Sequence, residues 1–160
     1  MRLSASTRRW LARIMAPRKR KPAGKKRHAA PALKAPRLRL LGTRGKLRIY
    51  LVATTPTKRI YVDWTEGGHD VVYNFIPKNE VWISDNLPPL ELLLTQIHEL
   101  RERRRMIELM RGGMKQADAY DKAHDESLAV EDKYRKANGR GLAAALRLER
   151  GYYWDSRSGF

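Results

Sequence analysis

The sequence predicts an α+β fold: a small antiparallel β-meander, then a helical hairpin, preceded by a disordered basic N-terminal arm. Three observations carry that reading. Residues 46–84 break into short β-branched and aromatic runs between turn residues, which marks successive strands. Residues 88–136 hold two long stretches with apolar residues at helical spacing, divided by Gly112-Gly113. Residues 1–62 hold 19 of the 34 Lys and Arg and no Asp or Glu.

The net charge of +17 therefore comes from residues 1–62, the arm included, because the remaining residues carry 15 basic and 17 acidic side chains. That asymmetry points to a polyanion partner, nucleic acid first and an anionic membrane surface second. The chain has no cysteine. Disulfides, thiolate zinc sites and a cysteine nucleophile are excluded, so any metal rests on His and carboxylates. No apolar run approaches the roughly 18 residues of a membrane-spanning helix.

Residues 1–40 make the expected arm. Met1–Met15 is Arg-rich and acid-free, with Leu3, Trp10, Leu11 and Ile14 roughly on one helical face. It reads as a basic tail, and its pattern also fits a mitochondrial transit peptide or a short amphipathic anchor. Met15, before Ala-Pro-Arg-Lys-Arg-Lys, is an alternative start. Residues 16–39 carry four prolines among many Ala, Lys and Arg and cannot bury a core. Arg18, Lys19, Arg20, Lys21, Lys25, Lys26 and Arg27 are the candidate nucleic-acid contacts. The segment lacks aromatic residues, so it is expected to bind phosphates and not to read bases.

Residues 41–137 are the expected α+β domain. Leu47, Ile49 and Leu51 alternate with Arg48, Tyr50 and Val52 as a first strand. Thr54-Thr55-Pro56-Thr57 reads as a turn, Arg59–Trp64 as a strand, and Glu66-Gly67-Gly68 as a second turn. Asp70–Ile76 and Glu80–Ser84 complete the meander across Pro77-Lys78-Asn79. Tyr61, Trp64, Tyr73, Phe75 and Trp82 are read as core or sheet surface and not as a platform for bases.

Ser84-Asp85-Asn86 before Pro88-Pro89 starts a helix over 88–111, with Leu90, Leu93, Leu94, Ile97 and Leu100 as its apolar stripe. Arg101 and Arg103–Arg105 read as its solvated face. A second helix covers 114–136, with Ala117, Tyr120, Ala123 and Ser127 inward, and Asn138-Gly139 stops it. Residues 138–160 form a tail: a short helix, Leu142–Leu148, and the aromatics Tyr152, Tyr153 and Trp154.

The chemistry lies on the two helices. His98 and Glu102 are four apart and share a face; His124 and Glu131 are seven apart and share another. If the faces meet, imidazoles and carboxylates converge as either a buried polar network or a metal site. His98-Glu99 is also the first half of H-E-x-x-H, in which two histidines bind zinc and the glutamate acts as base. Here the fifth position is Glu102, a competent zinc ligand. His124 is the first candidate for a third ligand, Glu131 the next, and His69 a more distant one, with Glu99 as the base.

FIPKNEVWI, IHELRERRRM, the Gly113-Met114 pair, YDKAH and a downstream AVE together resemble a family of small, mostly uncharacterised proteins of bacteria, archaea and their phages. In that family a HELHE helix precedes a YDKAH helix. The resemblance spans roughly Ile60 to Arg135. It implies a meander followed by two helices, zincin-like chemistry, and Gly68-His69, Glu80, His98, Glu99, Glu102, His124 and Glu131 as the matching polar positions. Two positions depart from the pattern: Arg101 stands where the family commonly has histidine, and the link Met114–Tyr120 is longer than usual.

Two functions follow as expectations. In the first, the chain is a zincin-like phage or prokaryotic protein binding Zn2+, a peptidase-like hydrolase whose basic arm holds nucleic acid. In the second, it is a non-enzymatic nucleic-acid-binding structural protein of a virion or ribonucleoprotein particle. The expected setting is the cytoplasm of a host cell or the virion.

Overall fold

The structure, a computed structural model, describes residues 38–152. The seven arm cations named above, together with Tyr153 and Trp154, lie outside the described residues. Strands β1 (Leu38–Arg44) and β2 (Leu47–Val52) form a hairpin whose turn uses Gly45 at φ 55. Leu38–Leu40 thus belong to the sheet and not to the arm. Helix α1 (Thr54–Ile60), β3 (Gly67–His69), β4 (Glu80–Ser84), α2 (Pro89–Arg111), α3 (Gln116–Lys136) and α4 (Leu142–Tyr152) follow.

The α+β class and the helical hairpin are as expected; the sheet is not an antiparallel meander. Its order is β1-β2-β4-β3, and β4 runs parallel to β2. Parallel neighbours need a long crossover, and residues 53–79 supply it. Thr54–Ile60, expected as turn and strand, is helical. Pro56 sits in its first turn, where the backbone N–H has no helical partner to lose. Asp70–Ile76, expected as a strand, folds into turns, with the amides of Val72 and Tyr73 donating to His69 O and that of Ile76 to Tyr73 O. Gly67–His69, expected as a turn, is strand β3.

Period-two alternation gives the sheet two apolar faces. Leu47, Ile49, Leu51, Val81 and Ile83 meet Leu94, Ile97 and Leu100 of α2 and Leu142 and Leu146 of α4. Val52 and Trp82 face the opposite way, into Trp64, Val72, Tyr73 and Ile76 from the crossover. Tyr61 stacks on Phe75 at 3.9 Å in the same cluster, so these aromatics are core, as expected.

Helices α2 and α3 lie against each other as a hairpin turned at Gly112-Gly113, with Gly113 at φ 89. Ala119 and Ala123, both fully buried, face this junction and let the backbones approach. Arg103, expected to be solvated, is buried against Asp70. Among the described residues no helix is long and apolar enough to cross a membrane.

Candidate metal centre

The register of β3 on β4 places the Gly67-Gly68-His69 triplet. Gly67 lies opposite Ile83, Gly68 opposite Trp82, and His69 opposite Val81. Gly67 and His69 therefore share the face that meets α2, while Gly68 faces the aromatic cluster. A Cβ on Gly67 would lie 2.6 Å from Glu99 Oε1, and one on Gly68 would lie 2.4 Å from the Tyr73 ring. The glycines let α2 and Tyr73 close on the strand from its two sides. His69 then reaches α2 directly.

On α2, Thr95, Glu99 and Glu102 fall at helical spacing toward β3, and His98 turns toward α3. On α3, Tyr120, His124, Ser127 and Glu131 line the facing stripe. The faces meet. His98 Nε2 lies 3.2 Å from His124 Nδ1 and 3.3 Å from Glu102 Oε2, and His124 Nδ1 lies 2.6 Å from the same oxygen. His98, Glu102 and His124 thus form one group able to hold a metal ion. The long link before YDKAH does not carry His124 away from the first helix.

The other expected residues surround this point. Glu131 Oε2 accepts from the far nitrogen of His98, Nδ1, at 2.8 Å, so it lies outside the converging three. His69 donates through Nε2 to Glu102 Oε1 at 3.0 Å and is fully buried. Glu99 lines a cleft of 420 Å³ that also borders His98, His124, Trp64 and Gly67. Tyr120 stacks on His124, ring centroids 5.3 Å apart. Arg101 points away, donating to Glu149 on α4 at 2.6 Å. Glu80 accepts from the Trp82 indole at 2.9 Å and pairs with Arg48, a structural role remote from the cluster.

The electrostatics follow from burial and from these contacts. Burial pushes the Glu99 carboxyl up, helped by the negative charge of Glu102, to about 8. Burial works against ionised Glu102 too, but hydrogen bonds from His124, His69 and His98 win and hold it well below the ordinary range. For His98, burial favours the neutral ring; the hydrogen bonds to Glu102 and Glu131 outweigh it and raise the value to about 10. The bond from His98, more than that from Arg135, lowers Glu131 to about 2. Carboxylates only accept, so without a metal His98 Nδ1 donates to Glu131, and the raised value favours the cationic ring.

A tetrahedral zinc ion with bonds of 2.0–2.1 Å spaces its ligand atoms about 3.3 Å apart. Two of the three separations match that edge, and the 2.6 Å contact must lengthen on ligation. The Nδ1–H of His98 on Glu131 leaves Nε2 as the ligating atom, the carboxylate–histidine arrangement that supports metal ligands. The donor set therefore fits the ion. No family model, curated protein or solved structure matches the chain.

Proposed function

We propose that the chain is a zincin-like metal-binding protein, a peptidase-like hydrolase, in which His98, Glu102 and His124 hold a zinc ion. The observation that carries this reading is the convergence of three ligand atoms from two helices at the wall of a cleft that Glu99 also lines. Bound there, zinc supplies Lewis acidity and makes a nearby water acidic. The residues do the rest. Glu131 orients the His98 ring, and His69 orients Glu102 from its other oxygen. Glu99, at the wall of the same cleft, would accept a proton from water there and return it to the departing group. The proposal extends to the arm, whose uncompensated cations bind nucleic acid through phosphate.

Metal analysis of the purified full chain tests the centre. Stoichiometric zinc is expected, removable by a chelator with a loss of thermal stability that added zinc restores. A metal-free protein whose melting temperature ignores added zinc would overturn the reading. The binding role in a virion or nucleoprotein particle, which rests on the arm alone, would then be the one left.

A further inference from the structure

The two carboxylate oxygens of Glu102 face different neighbours. Oε2 meets His98 and His124, whereas Oε1 meets His69. His69 and Glu102 join Glu99 in a second group, with ligand atoms within 4.8 Å of one another and all three residues buried. Glu99 is 8% exposed, lines the cleft, and accepts no hydrogen bond from any described residue. The missing side chain of Gly67 is what gives its carboxylate room. Two buried carboxylates at such spacing cannot both be ionised unless a cation lies between them; without one, Glu99 keeps a proton.

We infer that His69, Glu99 and Glu102 form a second divalent-cation position, so that Glu102 bridges two ions, one on each oxygen. The inference rests on the metal reading of the His98–Glu102–His124 group. Two-metal sites hold their ions about 3.5–4 Å apart, and one ligand has to reach both. Glu102 is the residue placed to do so. Two carboxylates and one imidazole make the second position the harder donor set, suited to manganese as well as zinc. Filling it has a consequence for Glu99. With the first ion alone, Glu99 is available to take a proton; with the second, it is a ligand. Occupancy of the second position therefore withdraws the base.

The competing role for His69 is to orient Glu102 by donating a hydrogen bond, with no second ion. His69→Gln separates the two, because a glutamine amide can still donate to Oε1 but is a poor metal ligand. The experiment loads the full chain and its variants with Zn2+ or Mn2+, dialyses them against buffered metal and counts equivalents, with circular dichroism confirming the fold. Two equivalents in the wild type are expected, falling to one in both His69→Gln and Glu99→Gln and to none in Glu102→Ala. One equivalent in the wild type overturns the second position and leaves the first. No equivalent overturns both. Two equivalents that survive either His69→Gln or Glu99→Gln also overturn the inference, since all three residues are required together.

Discussion

Arg103 of α2 and Asp70, the residue after His69, form a buried ion pair with Nε 2.6 Å from Oδ1. The pair is completed by Asn79, whose amide donates to Asp70 Oδ2 at 2.7 Å and whose side chain accepts from Arg103 at 3.2 Å. It pins the end of β3 to the helix that carries Glu102. Arg103→Ala is expected to cost about 3–5 kcal/mol, because it strands a buried carboxylate. Replacing both residues by apolar ones should cost less than that single change. Urea denaturation of the three proteins checks this. A loss for Arg103→Ala under about 1 kcal/mol, the range of surface pairs, would refute it.

His98→Ala and His124→Ala should act alike on the first ion, each removing its stoichiometric binding. Glu131→Ala should be milder, lowering zinc affinity about 10–100-fold, because it frees the ring without deleting a ligand. Competition against a chromophoric chelator ranks the three. Equal loss in Glu131→Ala and His98→Ala would make Glu131 a ligand after all.

The metal-free protein should show Glu99 in its pH dependence. A carboxyl whose pKa is raised on folding stabilises the fold below its ordinary value near 4.5 and loses that contribution as pH rises through about 8. Glu99→Gln removes the loss. Relative to wild type, the variant should therefore gain stability between about pH 5 and about pH 9. His98, raised to about 10, has the same sense, with its contribution full below 6.5, but it is present in both proteins. Denaturation at both pH values, with chelator present, measures the difference. A constant gap between the proteins would contradict it.

Removing residues 1–37 should abolish most binding to DNA or RNA, because it deletes 13 cations and no carboxylate. Melting temperature should change little, since the sheet begins at Leu38. For the full chain, affinity should fall steeply with salt and show little sequence preference. Undiminished affinity in the truncated chain would sink the assignment.

Helices α2 and α3 were legible because periodicity, the prolines at 88–89 and Gly112-Gly113 all agree. His98 with Glu102, and His124 with Glu131, followed from spacing alone. The sheet was less legible. The run Asp70–Ile76 has the composition of a strand, yet its aromatics cap a sheet face from turns. Parallel pairing of β2 with β4 leaves no local mark. Gly67-Gly68 reads as a turn by composition; glycine inside a strand also marks close approach, and here Glu99 and Tyr73 occupy the space. That second meaning would have promoted His69. Arg103 was misread because a run of arginines on one helix spans more than one face, and one of them points inward.

The crossover between β2 and β4 also bears on how the chain folds. α2 and α3 are neighbours in sequence and pair through a short turn, a local contact that forms early. β4 finds β2 only after residues 53–79 have been threaded across, and β3 then joins β4 at the edge. His98, Glu102 and His124 all ride on the early hairpin, whereas His69 arrives with the late strand. On the proposed metal reading, zinc present during refolding would meet His98, Glu102 and His124 before the sheet has closed, and would staple the helical hairpin first.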